Sequence, residues 1–214
     1  MRALIVGESG GIGRAVASHL RSGGAEVLGL TRRNHGFDIT DEASIAAHLG
    51  AIEGHFDLIF VATGGLGHPE KTLKSVAANE MVSQFALNAM GPLLTLKHAV
   101  RLMPRNRRAV FAALSARVGS IGDNHLGGWY SYRAAKAALN QMMHTAAIEL
   151  ARSHPQAVIA CLHPGTVATS FTKNYDRDKF PPDKAAHHLL SVIEGLVPAQ
   201  TGGFFDYSGK EVPW

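Results

Sequence analysis

The chain predicts an α/β fold: one doubly wound domain whose mostly parallel sheet carries helices on both faces. Three observations lead there. Short apolar, β-branched runs alternate with longer segments of helical periodicity along all 214 residues. The opening of the chain reads as strand, glycine turn, helix and strand, a complete βαβ unit. No linker, repeat or low-complexity stretch interrupts the pattern, so residues 1–214 are expected to share one core.

The elements follow in order. Residues 2–6 form the first strand around Leu4-Ile5-Val6, and a helix runs from about 12 to 22 until Gly23-Gly24 stops it. A second strand spans 25–30. A helix near 41–52 opens with Thr40 or Asp41 as N-cap, and Asp57 to Ala62 is an apolar run of the length expected of a buried parallel strand. Residues 72–101 read as helix and 109–114 as strand. The segment 131–152 is the strongest helix, its alanines, leucines and methionines spaced to bury one face. Ala157 to Leu162 gives another strand, 182–196 a helix and Gly203 to Tyr207 a last short strand. Ligands of such sheets bind outside the carboxyl ends of the strands, so the candidate loops follow residues 6, 30, 61, 114 and 162.

Composition narrows the class. With 46% hydrophobic and 18% charged residues the chain is not disordered, and at this size one fold buries roughly 70% of its extended surface without a disulfide or structural metal. Cys161 stands alone, no charged leader with a cleavage site opens the chain, and no run approaches ~18 apolar residues, so a cytoplasmic protein without membrane spans is expected. The net charge of +4 is spread along the chain. Arg101, Arg105, Arg107 and Arg108 lack interleaved aromatics and read as a solvated loop, so no nucleic-acid partner is expected. The 12 histidines lack ligand spacing with cysteine or carboxylates, so no metal is expected either.

The loop after the first strand is Gly7-Glu8-Ser9-Gly10-Gly11-Ile12-Gly13. Glycines there let a diphosphate approach bare backbone, and the amide groups of the new helix favour an anion. The spacing G-x-x-x-G-x-G differs from the usual dinucleotide fingerprint, so a plain tight turn competes with a nucleotide site. After the second strand comes Thr31-Arg32-Arg33, with no acid to bind a ribose 2′-hydroxyl. Guanidinium groups suit a 2′-phosphate, so Arg32, with Arg33, favours NADP(H) over NAD(H); the competing reading is a solvated basic turn. Tyr132 and Lys136 stand one turn apart on the 131–152 helix. An ammonium there is expected to lower the phenol pKa toward working pH, where tyrosine can exchange a proton beside a hydride transfer.

Together with Asp38-Ile39-Thr40, Ala62-Thr63-Gly64-Gly65, Asn88, Ser115 and Pro164-Gly165-Thr166-Val167-Ala168-Thr169, these motifs resemble the short-chain dehydrogenase/reductase family over nearly the whole chain. The run from Ser115 to Arg133 is most similar to the small branch of C-factor and sniffer-type carbonyl reductases. The resemblance implies a Rossmann-type fold in which Gly7, Ser9, Gly11, Ile12 and Gly13 hold the diphosphate. By the same resemblance Arg32 and Arg33 meet the 2′-phosphate, Asp38 and Ile39 the adenine, and Ala62, Thr63 and Gly64 the adenosine ribose. Pro164, Gly165, Val167 and Thr169 would orient the carboxamide. Tyr132 would be the proton donor, Lys136 the ribose-binding partner that lowers its pKa, and Asn88 the support of a relay water. A homodimer or homotetramer is also implied.

Two departures matter. Counting back from Gly119, the family's carbonyl-binding serine aligns with Ala116, which leaves Ser115, Ser120 or no serine for that role. The substrate segment at about 170–185, carrying Phe171, Tyr175 and Phe180, is a short lid. The expected function is NADPH-dependent reduction of a small ketone or aldehyde to an alcohol. The alternative is an NADP(H)-binding signalling or regulatory protein of C-factor type with vestigial catalysis.

Overall fold

A computed structural model describes residues 1–176 and 178–214. Six strands form one parallel sheet: β1 (Arg2–Val6), β2 (Glu26–Leu30), β3 (Leu58–Val61), β4 (Ala109–Leu114), β5 (Ala157–His163) and β6 (Phe204–Asp206), in the order β2-β1-β3-β4-β5-β6. The chain builds β2 on one side of β1, then crosses back to lay β3 on the other. That reversal opens a crevice between the carboxyl ends of β1 and β3.

The alternation of side chains along each strand divides the core into two layers. Ile5, Phe60, Val110, Ala112 and Val158 face one way and pack against Val16 of α1 (Gly11–Ser22) and Leu189 and Ile193 of α7 (Pro182–Gly195). Leu4, Ile59, Phe111 and Ile159 face the other way. They pack against Ile45 and Leu49 of α3 (Glu42–Gly50), Leu96 of α5 (Gly91–Ala99) and Leu139 and Met143 of α6 (Tyr130–Leu150). Helices on both faces make the fold doubly wound, as expected from the sequence. No helix among the described residues is long and apolar enough to cross a membrane.

Most boundaries lie within two residues of expectation, and Asp41 is the cap of α3, accepting from the Ala43 amide at 3.0 Å. Two differences bear on the site. A four-residue helix, α2 (Arg32–His35), follows β2, capped by the Thr31 hydroxyl, which accepts from the Asn34 amide at 3.1 Å. It is too short to show a period in sequence. The expected helix 72–101 is divided into a 3₁₀ turn (Leu73–Ser75), α4 (Ala78–Phe85), a π turn (Ala86–Met90) and α5. Pro92 lacks the N–H that would close the α-helical bond onto the Asn88 carbonyl, and the backbone widens there.

Candidate active site

The glycine loop crosses the mouth of the crevice between β1 and β3. Gly7 has φ +89°, a left-handed conformation that side chains disfavour. A Cβ on Gly13 would lie 2.3 Å from the Gly7 carbonyl oxygen, and one on Gly11 2.6 Å from Thr169 Cγ2. The turn therefore closes on its own backbone and against the segment after β5, and only glycine fits. Gly13→Ala is expected to lower stability by ~2 kcal/mol through overpacking, a fall in Tm of roughly 4–8 °C by thermal denaturation. A Tm within a degree of the parent would show that the loop can relax.

Gly11 and Ile12 join Ala62, Thr63 and Gly64 in lining a cavity of about 600 Å³. Thr63 Oγ1 is buried with no hydrogen-bond partner, an orphaned polar atom beside the cavity. Gly7 and Gly13 shape the loop behind the wall, and Ser9 is exposed at its tip. Toward the β2 edge, Arg32 Nη2 lies 3.1 Å from Asp38 Oδ1. Hydrogen bonds from the Thr40 hydroxyl and amide, then the Arg32 charge, hold the Asp38 carboxyl below its usual range. Arg32 and Arg33 are exposed, whereas Ile39 is buried in the core.

Tyr132 and Lys136 line the same cavity and project from the first turns of α6. Lys136 Nζ donates to the Leu114 carbonyl at 2.8 Å and lies 5.9 Å from the centre of the Tyr132 ring. Both groups are almost wholly buried. Burial pushes the Lys136 ammonium down to about 8, with neighbouring Cys161 opposing. Burial also pushes the Tyr132 phenol up, and the Tyr175 hydroxyl adds to the shift. This corrects the expectation that the ammonium lowers the phenol: loss of hydration sets the direction. Without ligand the phenol stays protonated at neutral pH, as a donor requires.

The serine question divides on side-chain direction. Ser115 reaches the cavity wall, but its hydroxyl donates to Asn140 Oδ1 at 2.7 Å, behind the site. Its proton is thus given to α6, which weighs against Ser115 among the three alternatives open for the carbonyl role. Ser120 is buried away from the cavity, its Oγ accepting from the Asp123 amide at 3.1 Å. Ala116 lines the cavity and offers no hydroxyl.

Asn88 occupies the π turn. Its Nδ2 donates to the Gly65 carbonyl at 2.9 Å and to Gln84 Oε1 at 2.6 Å, and its Oδ1 accepts from the Gly65 amide at 3.2 Å. The side chain therefore fastens the loop after β3. A Cβ on Gly64 would stand 3.0 Å from Asn88 Oδ1 and 3.7 Å from Lys136 Nζ, so glycine keeps open the space between them.

Pro164, Gly165, Val167 and Thr169 line the cavity after β5. The lid is a loop rooted by a bridge between Val167 and Phe180, with a 3₁₀ turn at Ser170–Thr172. It ends at Pro181, where α7 begins, so residues 182–185 of the expected lid are helix; Arg177 lies outside the described residues. Phe171 and Tyr175 hang over the site: the Phe171 ring is 5.9 Å from Tyr132, and Tyr175 is 5.9 Å from Trp129.

Three contributors were not legible in sequence. His163 closes the cavity floor with Nδ1 unpartnered, held neutral at about 4 by burial and by Arg117. Trp129 opens α6 in a left-handed conformation, and Glu70 is buried against that same end. The signal available in sequence was the absence of a capping side chain at Trp129, just before the helix.

A family model described as short chain dehydrogenase matches residues 35–179. The 1-hydroxy-2-glutathionyl-2-methyl-3-butene dehydrogenase of Rhodococcus sp. (strain AD45) is 30% identical over 229 aligned residues, covering 99% of this chain and 98% of that protein. C-signal of Myxococcus xanthus is 35% identical over 136 residues, 63% of this chain and 79% of its own length. Among solved structures, a short-chain dehydrogenase/reductase from Burkholderia multivorans with bound NADP superposes with a TM-score of 0.86 at 28% identity, covering 100% of this chain and 99% of that one.

Proposed function

The chain belongs to the short-chain dehydrogenase family, and we propose that within it this protein is an NADPH-dependent reductase converting a small ketone or aldehyde to an alcohol. The carrying observation is that Tyr132 and Lys136 face one cavity with the glycine loop and the unpartnered Thr63 hydroxyl. The residues present fit the cofactor: Gly7, Gly11 and Gly13 would hold its diphosphate, Arg32 and Arg33 its 2′-phosphate, and Asp38 and Ile39 its adenine. Ala62, Thr63 and Gly64 would take the adenosine ribose, and Pro164, Gly165, Val167 and Thr169 the carboxamide. Bound NADPH supplies the hydride that a carbonyl carbon accepts.

The remaining chemistry belongs to the chain. Tyr132 donates its phenolic proton to the developing alkoxide, and Lys136 beside it stabilises the phenolate left behind. The Asn88 carbonyl, denied its helical donor by Pro92, supports a water that returns the proton, while the Asn88 side chain steadies the loop. With the Ser115 proton given to Asn140 and Ser120 turned away from the cavity, neither expected serine polarises the carbonyl, so turnover should be modest. The complete set of Asn88, Tyr132 and Lys136 favours turnover over the signalling reading.

Incubation with NADPH and a panel of aldehydes, ketones and quinones should consume cofactor in proportion to alcohol formed. Arg32→Ser should raise KM for NADPH by ~10–100-fold, the worth of a charge-assisted phosphate contact, and leave KM for NADH near its starting value. An equal effect on both cofactors would remove Arg32 from the 2′-phosphate; no turnover on any carbonyl, with tight NADPH binding, would favour the regulatory alternative.

A further inference from the structure

We propose that Glu70, in the loop between β3 and α4, is a positioning residue: its carboxylate closes the amino end of α6 and fixes the turn from which Tyr132 projects. This rests on reading Tyr132 as the proton donor.

Helix α6 starts without a cap of its own. Its first flanking residue is Trp129, whose side chain has no acceptor and whose backbone sits at φ 53°, ψ 42°. Gly127 and Gly128 precede it at φ +65° and +66°, so three successive residues are left-handed. Such a path is unfavourable for tryptophan and persists only where contacts hold it.

Glu70 supplies those contacts from 61 residues away. Its carbonyl accepts from the Trp129 amide at 2.6 Å. Its two carboxylate oxygens lie 3.2 and 3.3 Å from the Ser131 amide, and Oε1 also accepts from the Ser131 hydroxyl. The residue is only 4% exposed. A Cβ on Gly128 would stand 3.3 Å from the Glu70 carbonyl oxygen, so the bend is moulded onto it. From the other side, the Arg133 guanidinium donates to the carbonyls of Gly127, Gly128 and Val118. A carboxylate at a helix amino end satisfies free amides and complements the helix dipole. Tyr132 follows Ser131 directly, so a shift of this turn moves its hydroxyl relative to the cofactor side of the cavity.

The hydrogen bonds of Glu70 go to Trp129 and Ser131 rather than to the glycine loop, so its loss should impair chemistry without loosening NADPH. In the full chain, Glu70→Ala should lower kcat by ~10–100-fold while NADPH affinity stays within about twofold, as expected of a misplaced reacting group. Glu70→Gln, which keeps an oxygen for the Ser131 amide, should recover most of kcat. Trp129 emission, read in a Trp214→Phe background, should shift in Glu70→Ala and not in Glu70→Gln. Should the alanine variant fail to fold, Glu70→Asp decides, since its shorter reach predicts an intermediate kcat loss. Unchanged kcat in folded Glu70→Ala or Glu70→Asp overturns the proposal, as does a kcat loss matched by weakened NADPH binding or by a lower folded fraction. Tyr132→Phe measured in parallel separates the premises: if it retains turnover the donor reading fails, and if it alone loses turnover only the Glu70 proposal does.

Discussion

Replacing Tyr132 with phenylalanine should reduce kcat for carbonyl reduction by ~10²–10⁴-fold, the usual contribution of a positioned general acid. The ring is buried between Lys136 and Phe171, and phenylalanine keeps that packing while removing only the hydroxyl. Stability and NADPH affinity should therefore remain close to the parent values, the first by thermal denaturation and the second by fluorescence titration. This combination is diagnostic. A variant that still turns over would show that another group donates the proton, and one that also loses NADPH would show that the phenol serves binding rather than chemistry.

Lys136 should make the stability of the cofactor-free protein depend on pH. Its ammonium falls from the ordinary 10.5 to about 8 on burial. Between these values the unfolded chain binds the proton and the folded chain does not, so stability rises with pH across that window. Below about 8 both states are charged and the full cost of burying the ammonium is present. At ~1.4 kcal/mol per unit the window is worth roughly 3 kcal/mol. The check is chemical denaturation of the parent and Lys136→Met at pH 7.5 and at the upper end of the window. The parent should gain relative to the variant by about that amount. Tyr132 and Cys161 titrate in both proteins and largely cancel in the comparison. A stability difference that does not move with pH would mean that Lys136 stays hydrated or carries its proton through a partner.

Much of this is written in the sequence itself. Apolar runs such as Leu58–Val61 and Val110–Leu114 announce parallel strands because both faces of such strands are covered, leaving no polar alternation. The glycines at 7, 11 and 13 announce a backbone approach, and the four-residue spacing of Tyr132 and Lys136 puts them on one face of one helix. These are properties of neighbouring residues, and local geometry enforces them wherever the chain folds.

Other features escaped for a common reason. The direction of Ser115 depends on Asn140, 25 residues further on, which accepts its proton. The π turn at Asn88 follows from Pro92 only once α4 and α5 are known to form one column. The Tyr132 phenol rises instead of falling because the folded chain excludes water from it, an effect no spacing encodes.

The sequence by itself determined the layered α/β fold, the order of its strands and helices, the glycine loop and the paired tyrosine and lysine, because each rests on periodicity or spacing within one element or one turn. Only the tertiary structure decided where the Ser115 proton goes, which way burial moves the two titrating groups, and that Glu70 meets the amino end of the helix carrying Tyr132. Those outcomes depend on contacts between segments tens of residues apart, where exclusion of water, not local propensity, sets the energy.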